Sequence, residues 1–216
     1  MSDANTLHEA ILNGNAKAAV EATRQLLAAN ADPLALVTQA MIPAMDEVGR
    51  RFECEEYFVP ELLLSARAMK GALELIRPLL VAGGVEPVGR VVIGTVKGDL
   101  HDIGKNLVAS MLEGGGFEVV DLGADVAPER FIEAVRAHKA DVVCLSALLT
   151  VTMPSMRKTI EAFNEAGLRS QVKILIGGAP VTPKFAEEIG ADGYGDNARS
   201  AVELARQMVA QPGKAA

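Results

Sequence analysis

Two hydrophobic patterns divide the chain. Up to about residue 85 the apolar positions recur at helical spacing, and beyond it short β-branched runs alternate with helical stretches. Residues 6–13 form a short amphipathic piece that stops at Asn13-Gly14-Asn15. Residues 16–29, AKAAVEATRQLLAA, are dense in strong helix formers. Asp32-Pro33 reads as a cap followed by a first-turn proline. The helix it opens carries Met41, Met45, Val48 and Phe52 at spacings of four, three and four, which places them on one face. A polar break at 53–56 follows, and Pro60 opens a fourth helix with Leu63, Ala66, Leu73 and Ile76. Four helices with short links predict a four-helix bundle over 1–85, with the Met and Leu stripe as its core.

The Gly- and Pro-containing stretch 81–90 reads as a linker. After it come strand-like runs at 91–96, 117–123, 141–147 and 172–178. Helical stretches lie between them at about 103–113, 128–138, 153–166 and 182–189, and a last one covers 197–210. This alternation predicts a second domain over 86–216, an α/β fold of flavodoxin-like (Rossmann-like), doubly wound type. Its parallel sheet would bind a ligand at the carboxyl ends of the strands. The tail QPGKAA is expected to fray.

Composition narrows the classes. The formal net charge of −7 is spread over both parts: 7 basic and 11 acidic residues in 1–85, 14 and 17 in the rest. Neither part has a basic patch, which argues against a nucleic-acid partner. Cys54 and Cys144 form no CxxC pair and no zinc spacing, and read as free thiols of a reducing compartment. The N-terminus has no basic region followed by an apolar core, so no signal peptide is expected. No apolar run reaches the roughly 18 residues of a membrane span. A cytoplasmic protein, off the membrane, is the expectation.

The chemistry concentrates in GTVKGDLHDIGKNLV, residues 94–108, where the first strand hands over to a helix. A phosphate-binding loop fits poorly. Five residues rather than four separate Gly98 from Gly104, Asn106 stands where Ser or Thr should hold magnesium, and Asp99 and Asp102 would repel phosphates. Acid–base catalysis by His101 beside a carboxylate is a second reading, although no Ser or Cys sits on a nearby strand-to-helix elbow. Third, His101 could be the axial ligand of a metal already held by a macrocycle. A lone imidazole builds no zinc site but suffices for that. Asp99, two positions earlier, could then take the other ring nitrogen's hydrogen. A capped helix N-terminus with a solvated His is the plain structural alternative.

The wider pattern resembles the cobalamin-binding domain shared by cobalamin-dependent methionine synthase, the mutases and the corrinoid proteins of methyltransferase systems. That family's signature is Asp-x-His-x-x-Gly, then Ser-x-Leu about forty residues on, then Gly-Gly somewhat under thirty residues later. Here Asp99-Leu100-His101-Asp102-Ile103-Gly104 is followed after 41 intervening residues by Ser146-Ala147-Leu148, and after 28 more by Gly177-Gly178. Residues 38–69, including MDEVGRRFECEEYFVPELLLSARAM, look like the helical cap of the methyl-transferring branch.

The resemblance implies the site residue by residue. His101 replaces the cofactor's own dimethylbenzimidazole as the axial cobalt ligand, Asp99 supports it, and Thr152 completes a relay where methionine synthase has Ser. Gly98, Asp102 and Ile103 belong to the same cofactor-binding loop. Gly104 lets the nucleotide tail pass, Ser146, Leu148 and Thr150 line its channel, and Gly177 and Gly178 let it approach the backbone. The segment Gly193-Tyr194-Gly195-Asp196-Asn197 lies where the family places further tail contacts. The cap would offer an apolar cover, with Phe52, Tyr57, Phe58 and Met69 as candidates.

The function so implied is a methyl carrier with cobalamin (methylcobalamin) as cofactor. Cobalt accepts a methyl group from a substrate-specific methyltransferase and passes it to a second methyltransferase with a folate or thiol acceptor, with a reductive activator as a further partner. With no barrel for homocysteine or folate, one subunit of a multi-protein system is expected rather than an enzyme acting alone. Methanol, methylamines, methoxylated aromatics and glycine betaine stay open as donors. A cobalamin-dependent sensor and a cobalamin storage module are the alternatives; residues 1–85 show no basic recognition helix that would favour the sensor.

Overall fold

The computed structural model describes residues 3–210, so the tail QPGKAA lies outside the described residues. The chain divides into two compact units. One runs to Pro87 and takes in Glu113–Gly116; the other comprises Val88–Leu112 and the chain from Phe117 onward.

In the first unit each early helix starts at a side-chain cap. Asp3 accepts from Thr6 N before α1 (Ala4–Leu12), and Asn15 accepts from Ala18 N before α2 (Ala16–Ala28). Asp32 accepts from Leu34 N and opens α3 (Pro33–Leu36). That helix runs through a π-helical turn (Val37–Met41) into α4 (Ile42–Glu53). Pro43 accounts for the turn. It has no N–H to return to the carbonyl one turn back, and the Ile42 N–H reaches Val37 O instead. The joint residues stay right-handed helical, so α3 and α4 make one rod. With α5 (Val59–Ala82), whose Glu61 accepts from Phe58 N, the unit has four rods.

Leu7, Ile11, Met41, Met45, Val48, Leu62, Met69 and Ile76 fill its core. On α5 the register differs from the expected one. Leu63 is exposed and Leu73 only half-buried, while Leu62, Ser65, Ala66, Met69, Ala72 and Ile76 face inward. Three consecutive leucines at 62–64 leave the face undecided until the other helices pack. Ser65 fits inside because its hydroxyl donates to Leu12 O at 3.1 Å. The candidate cover residues also separate. Met69 is core, Phe52 and Tyr57 are half-buried, and only Phe58 is largely exposed. The Tyr57 hydroxyl donates to Leu12 O at 3.2 Å and accepts from Arg51.

Helix α5 continues through Pro78 to Ala82 and the first strand begins at Arg90, so the connection is shorter than the 81–90 read as linker. The second unit alternates β1 (Arg90–Thr95), α6 (Ile103–Gly114), β2 (Glu118–Asp121), α7 (Pro128–His138), β3 (Val142–Ser146), α8 (Met153–Glu165), β4 (Lys173–Gly177), α9 (Pro183–Ile189), β5 (Gly193–Gly195) and α10 (Ala198–Ala210). All strand pairs are parallel, in the order β2-β1-β3-β4-β5. Strand β5 has no counterpart among the expected strands, because three residues with two glycines carry no β-branched run.

The central strands are buried from both faces, with Phe131, Met156 and Phe163 among the side chains packed on them. Strand order turns at the β1–β3 pair, so the loops after these two strands flank the crevice where doubly wound sheets take ligands. Register aligns Thr95 with Ser146, Ser146 with Gly177, and Gly177 with Gly195. No helix among the described residues is long and apolar enough to cross a membrane.

Candidate cofactor site

Asp99 leaves the carboxyl end of β1 and turns fully inward. Its carboxylate accepts five hydrogen bonds. Oδ1 takes the His101 backbone N–H at 3.0 Å and ring Nδ1 at 2.7 Å; Oδ2 takes Leu148 N at 2.8 Å, Leu149 N at 3.3 Å and Thr152 Oγ1 at 2.6 Å. Burial pushes the carboxyl pKa up. The hydrogen bonds from Thr152, the His101 and Leu148 N–H groups and the His101 ring more than reverse this and hold it well below the usual carboxylate range. An ionised Asp99 only accepts, so Nδ1 of His101 carries the hydrogen. Nε2 is the nitrogen left for a metal.

The His101 ring is half exposed, and its backbone carbonyl is held by the buried Thr95 hydroxyl at 3.0 Å. Apolar side chains stand open on both loops: Leu100 is 75% exposed, Ile103 78% and Val151 80%, with Leu148 and Leu149 also exposed. A cluster of large apolar groups in water at a ligand crevice marks a surface meant to be covered.

The expected site residues come together at the carboxyl ends of β1, β3 and β4. Gly98 turns with φ +88° and Gly104 opens α6 with nothing within 4 Å of where a Cβ would stand. The Asp102 carbonyl accepts from Asn106 N at 2.7 Å, which starts the helix, and Ile103 and Gly104 are exposed. Ser146 ends β3 half-buried, and Leu148 and Thr150 follow it exposed. Thr152, one step before α8, is buried against Asp99.

Gly177 and Gly178 have a constraint inside the protein. A Cβ on Gly177 would stand 2.9 Å from Gly195 O, and one on Gly178, whose φ is +128°, would overlap Ala147 O. Close strand packing alone excludes side chains there.

A family model described as a B12 binding domain matches residues 89–203, and a second of the same description matches residues 4–77. The chain belongs to the B12-binding family. Trimethylamine corrinoid protein 2 of Methanosarcina mazei is 46% identical to it, over 85% of each chain. Dimethylamine corrinoid protein 1 of Methanosarcina acetivorans is 43% identical, over 83% of this chain and 84% of that one. Among solved structures, the methanol:cobalamin methyltransferase complex of Methanosarcina barkeri superposes with a TM-score of 0.87 at 30% identity, covering 97% of this chain and 80% of its own.

This B12-binding protein takes a corrinoid cofactor, and its residues fit one. A single imidazole nitrogen, on a segment whose neighbours Leu100 and Ile103 are exposed apolar residues, suits a metal already held by a macrocycle. No group of three or more His, Cys, Asp or Glu that could hold an ion by itself occurs among the described residues. The open space at Gly104 leaves room beside the loop.

Three contributions escaped the sequence. The Leu148 and Leu149 N–H groups grip Asp99, and a backbone donor leaves no mark in the residue type. Thr95 holds the His101 carbonyl from inside β1. Lys105, whose residue type gives no sign of it, is buried with Nζ 2.6 Å from both Asn106 Oδ1 and Asp121 Oδ1, tying α6 to the end of β2.

Proposed function

We propose that this corrinoid protein is a methyl carrier that receives a methyl group from a substrate-specific methyltransferase and delivers it to a second methyltransferase acting on a folate or thiol. The observation that carries the reading is the hydrogen-bonded line Thr152–Asp99–His101, which leaves Nε2 free on a segment that also carries the exposed Leu100 and Ile103. The relatives named for trimethylamine and dimethylamine support a methylated amine as the donor class.

The bound corrinoid supplies the cobalt that takes up and releases the methyl group. The chain's own residues would hold and tune that centre. His101 would offer Nε2 to the metal. Asp99 keeps the proton on Nδ1 and its fixed negative charge makes the imidazole a stronger donor. Thr152 holds Asp99 in line and, with the backbone N–H groups of His101 and Leu148, keeps the buried carboxylate ionised. Gly104, Ser146, Leu148 and Thr150 are assigned to the passage of the nucleotide tail, and the helical unit to protecting the methyl group.

The test is reconstitution. The protein loaded with cobalamin and reduced should acquire the methyl-cobalt absorption spectrum only with a methylamine and a methylamine-specific methyltransferase. It should lose that spectrum, with stoichiometric methylation, when a thiol- or folate-dependent methyltransferase is added. A spectrum that never responds to either enzyme would leave storage of the cofactor as the function.

A further inference from the structure

The loop that carries Asp99 and His101 is gripped from two sides. On one side the segment after β3 holds the Asp99 carboxylate. On the other stands the loop between β2 and α7, whose Asp125 makes three bonds to the residues just before His101. Its Oδ1 accepts from Gly98 N at 2.8 Å, its Oδ2 from Lys97 Nζ at 3.0 Å, and its own N–H donates to Asp99 O at 2.9 Å.

We propose that Asp125 is a positioning residue for the axial ligand: it clamps the backbone of 97–99 so that the Asp99–His101 pair presents Nε2 at a fixed place. This rests on the reading of His101 as the cobalt ligand.

Three features carry the inference. First, Asp125 adopts φ +55°, in the left-handed region that costs a residue with a Cβ energy and that Asp tolerates better than most. Such a conformation persists only where surrounding bonds impose it. Second, the bonds run both ways between the same two loops, so neither can slide along the other. The neighbouring pair Val126 N to Thr95 O, at 2.9 Å, extends the clamp into the sheet. Third, Gly98 is the natural pivot. With φ +88° and no Cβ it has more freedom than any other residue of the loop, and the Asp125 carboxylate takes its one N–H. The Gly98 N–H and then Lys97 hold the Asp125 carboxyl below the usual range, so the acceptor is ionised at neutral pH.

The experiment uses the full chain loaded with cob(II)alamin and reads, at one pH, the EPR ratio of histidine-bound to histidine-free cobalt, with melting of the cofactor-free protein as control. Asp125→Asn keeps the Oδ1 acceptor and tolerates positive φ. Asp125→Gly removes the backbone cost but also the acceptor, and Asp125→Ala removes the acceptor and tolerates the positive φ less well. The expected result is a fall of the histidine-bound to free ratio by about tenfold in the Ala and Gly variants, the low end of outer-shell effects on metal ligands, with Asn near wild type. If Asp125→Ala does not fold, the Asn and Gly pair decides. Wild-type ratios in the Gly variant would overturn the clamp while leaving His101 as ligand. A wild-type spectrum without histidine nitrogen on cobalt would overturn the His101 reading, and the clamp's role with it.

Discussion

Thr152 Oγ1 donates to Asp99 Oδ2 at 2.6 Å across 53 positions of sequence, joining the loop after β3 to the loop after β1. The bond spans the two loops at the turning point of the sheet. It makes Thr152, Asp99 and His101 one line, with a charge buried in its middle.

Removing that hydroxyl leaves the buried carboxylate one donor short. Thr152→Val should cost about 1–3 kcal/mol, and Thr152→Ser much less. The pH dependence has a definite sign. Asp99 is depressed in the native state, so its contribution is whole above the unfolded-state carboxyl value of about 4 and falls away as pH drops toward the native one. Denaturant melts from pH 7 to pH 3 should therefore show the widest gap between wild type and Thr152→Val near neutrality, narrowing at the acid end. A constant gap would mean the lost hydroxyl acts only through packing.

His101→Ala should still bind cobalamin, because the residues assigned to the tail are separate, but cobalt should lose its protein nitrogen. Co(II) EPR checks this, and an unchanged spectrum would remove His101 as ligand. Asp99→Asn should act more mildly, weakening the histidine-bound form by roughly 10–100-fold.

Two glycines should part company. Gly178→Ala meets Ala147 O at a positive φ and should destabilise the cofactor-free protein by more than about 1 kcal/mol. Gly104→Ala sits on a helix with open space around it and should leave melting unchanged or raise it by up to about 1 kcal/mol of stability. Its cobalamin affinity should fall, as measured by equilibrium titration.

The cysteines differ in the same way. Cys54 is exposed, whereas burial pushes the Cys144 thiol up to about 12. A thiol reagent at pH 8 should label one site on the native protein, and Cys54→Ser should abolish that labelling. A second label should appear only in denaturant.

A fragment of residues 86–216 should keep cobalamin with His101 bound, since every signature residue lies after residue 90. Its methyl-cobalt bond should photolyse faster than that of the full chain under equal light. Equal rates would assign the helical unit to partner docking instead.

Periodicity alone determined where most helices and strands lie, because side-chain spacing along one element is a local property and needs no knowledge of the rest. Asp99, His101 and Gly104, and the strand ends Ser146 and Gly177, were legible through the resemblance of their spacing to the cobalamin-binding signature, a pattern of residue types and intervals that the sequence carries whole. Everything that depends on who meets whom waited for the tertiary structure. Packing chose Leu62 over Leu63 from a run of three leucines whose helical faces overlap. Pairing with β4 made a strand of Gly193–Gly195, which has no pattern of its own. The N–H groups of Leu148 and Leu149 became ligands of a buried charge, although almost every residue carries an N–H. Asp125 became a clamp because β2 lies beside β1. The reason is common to all four. These choices are settled by contacts between groups brought together from distant parts of the chain, and a local pattern carries no record of that.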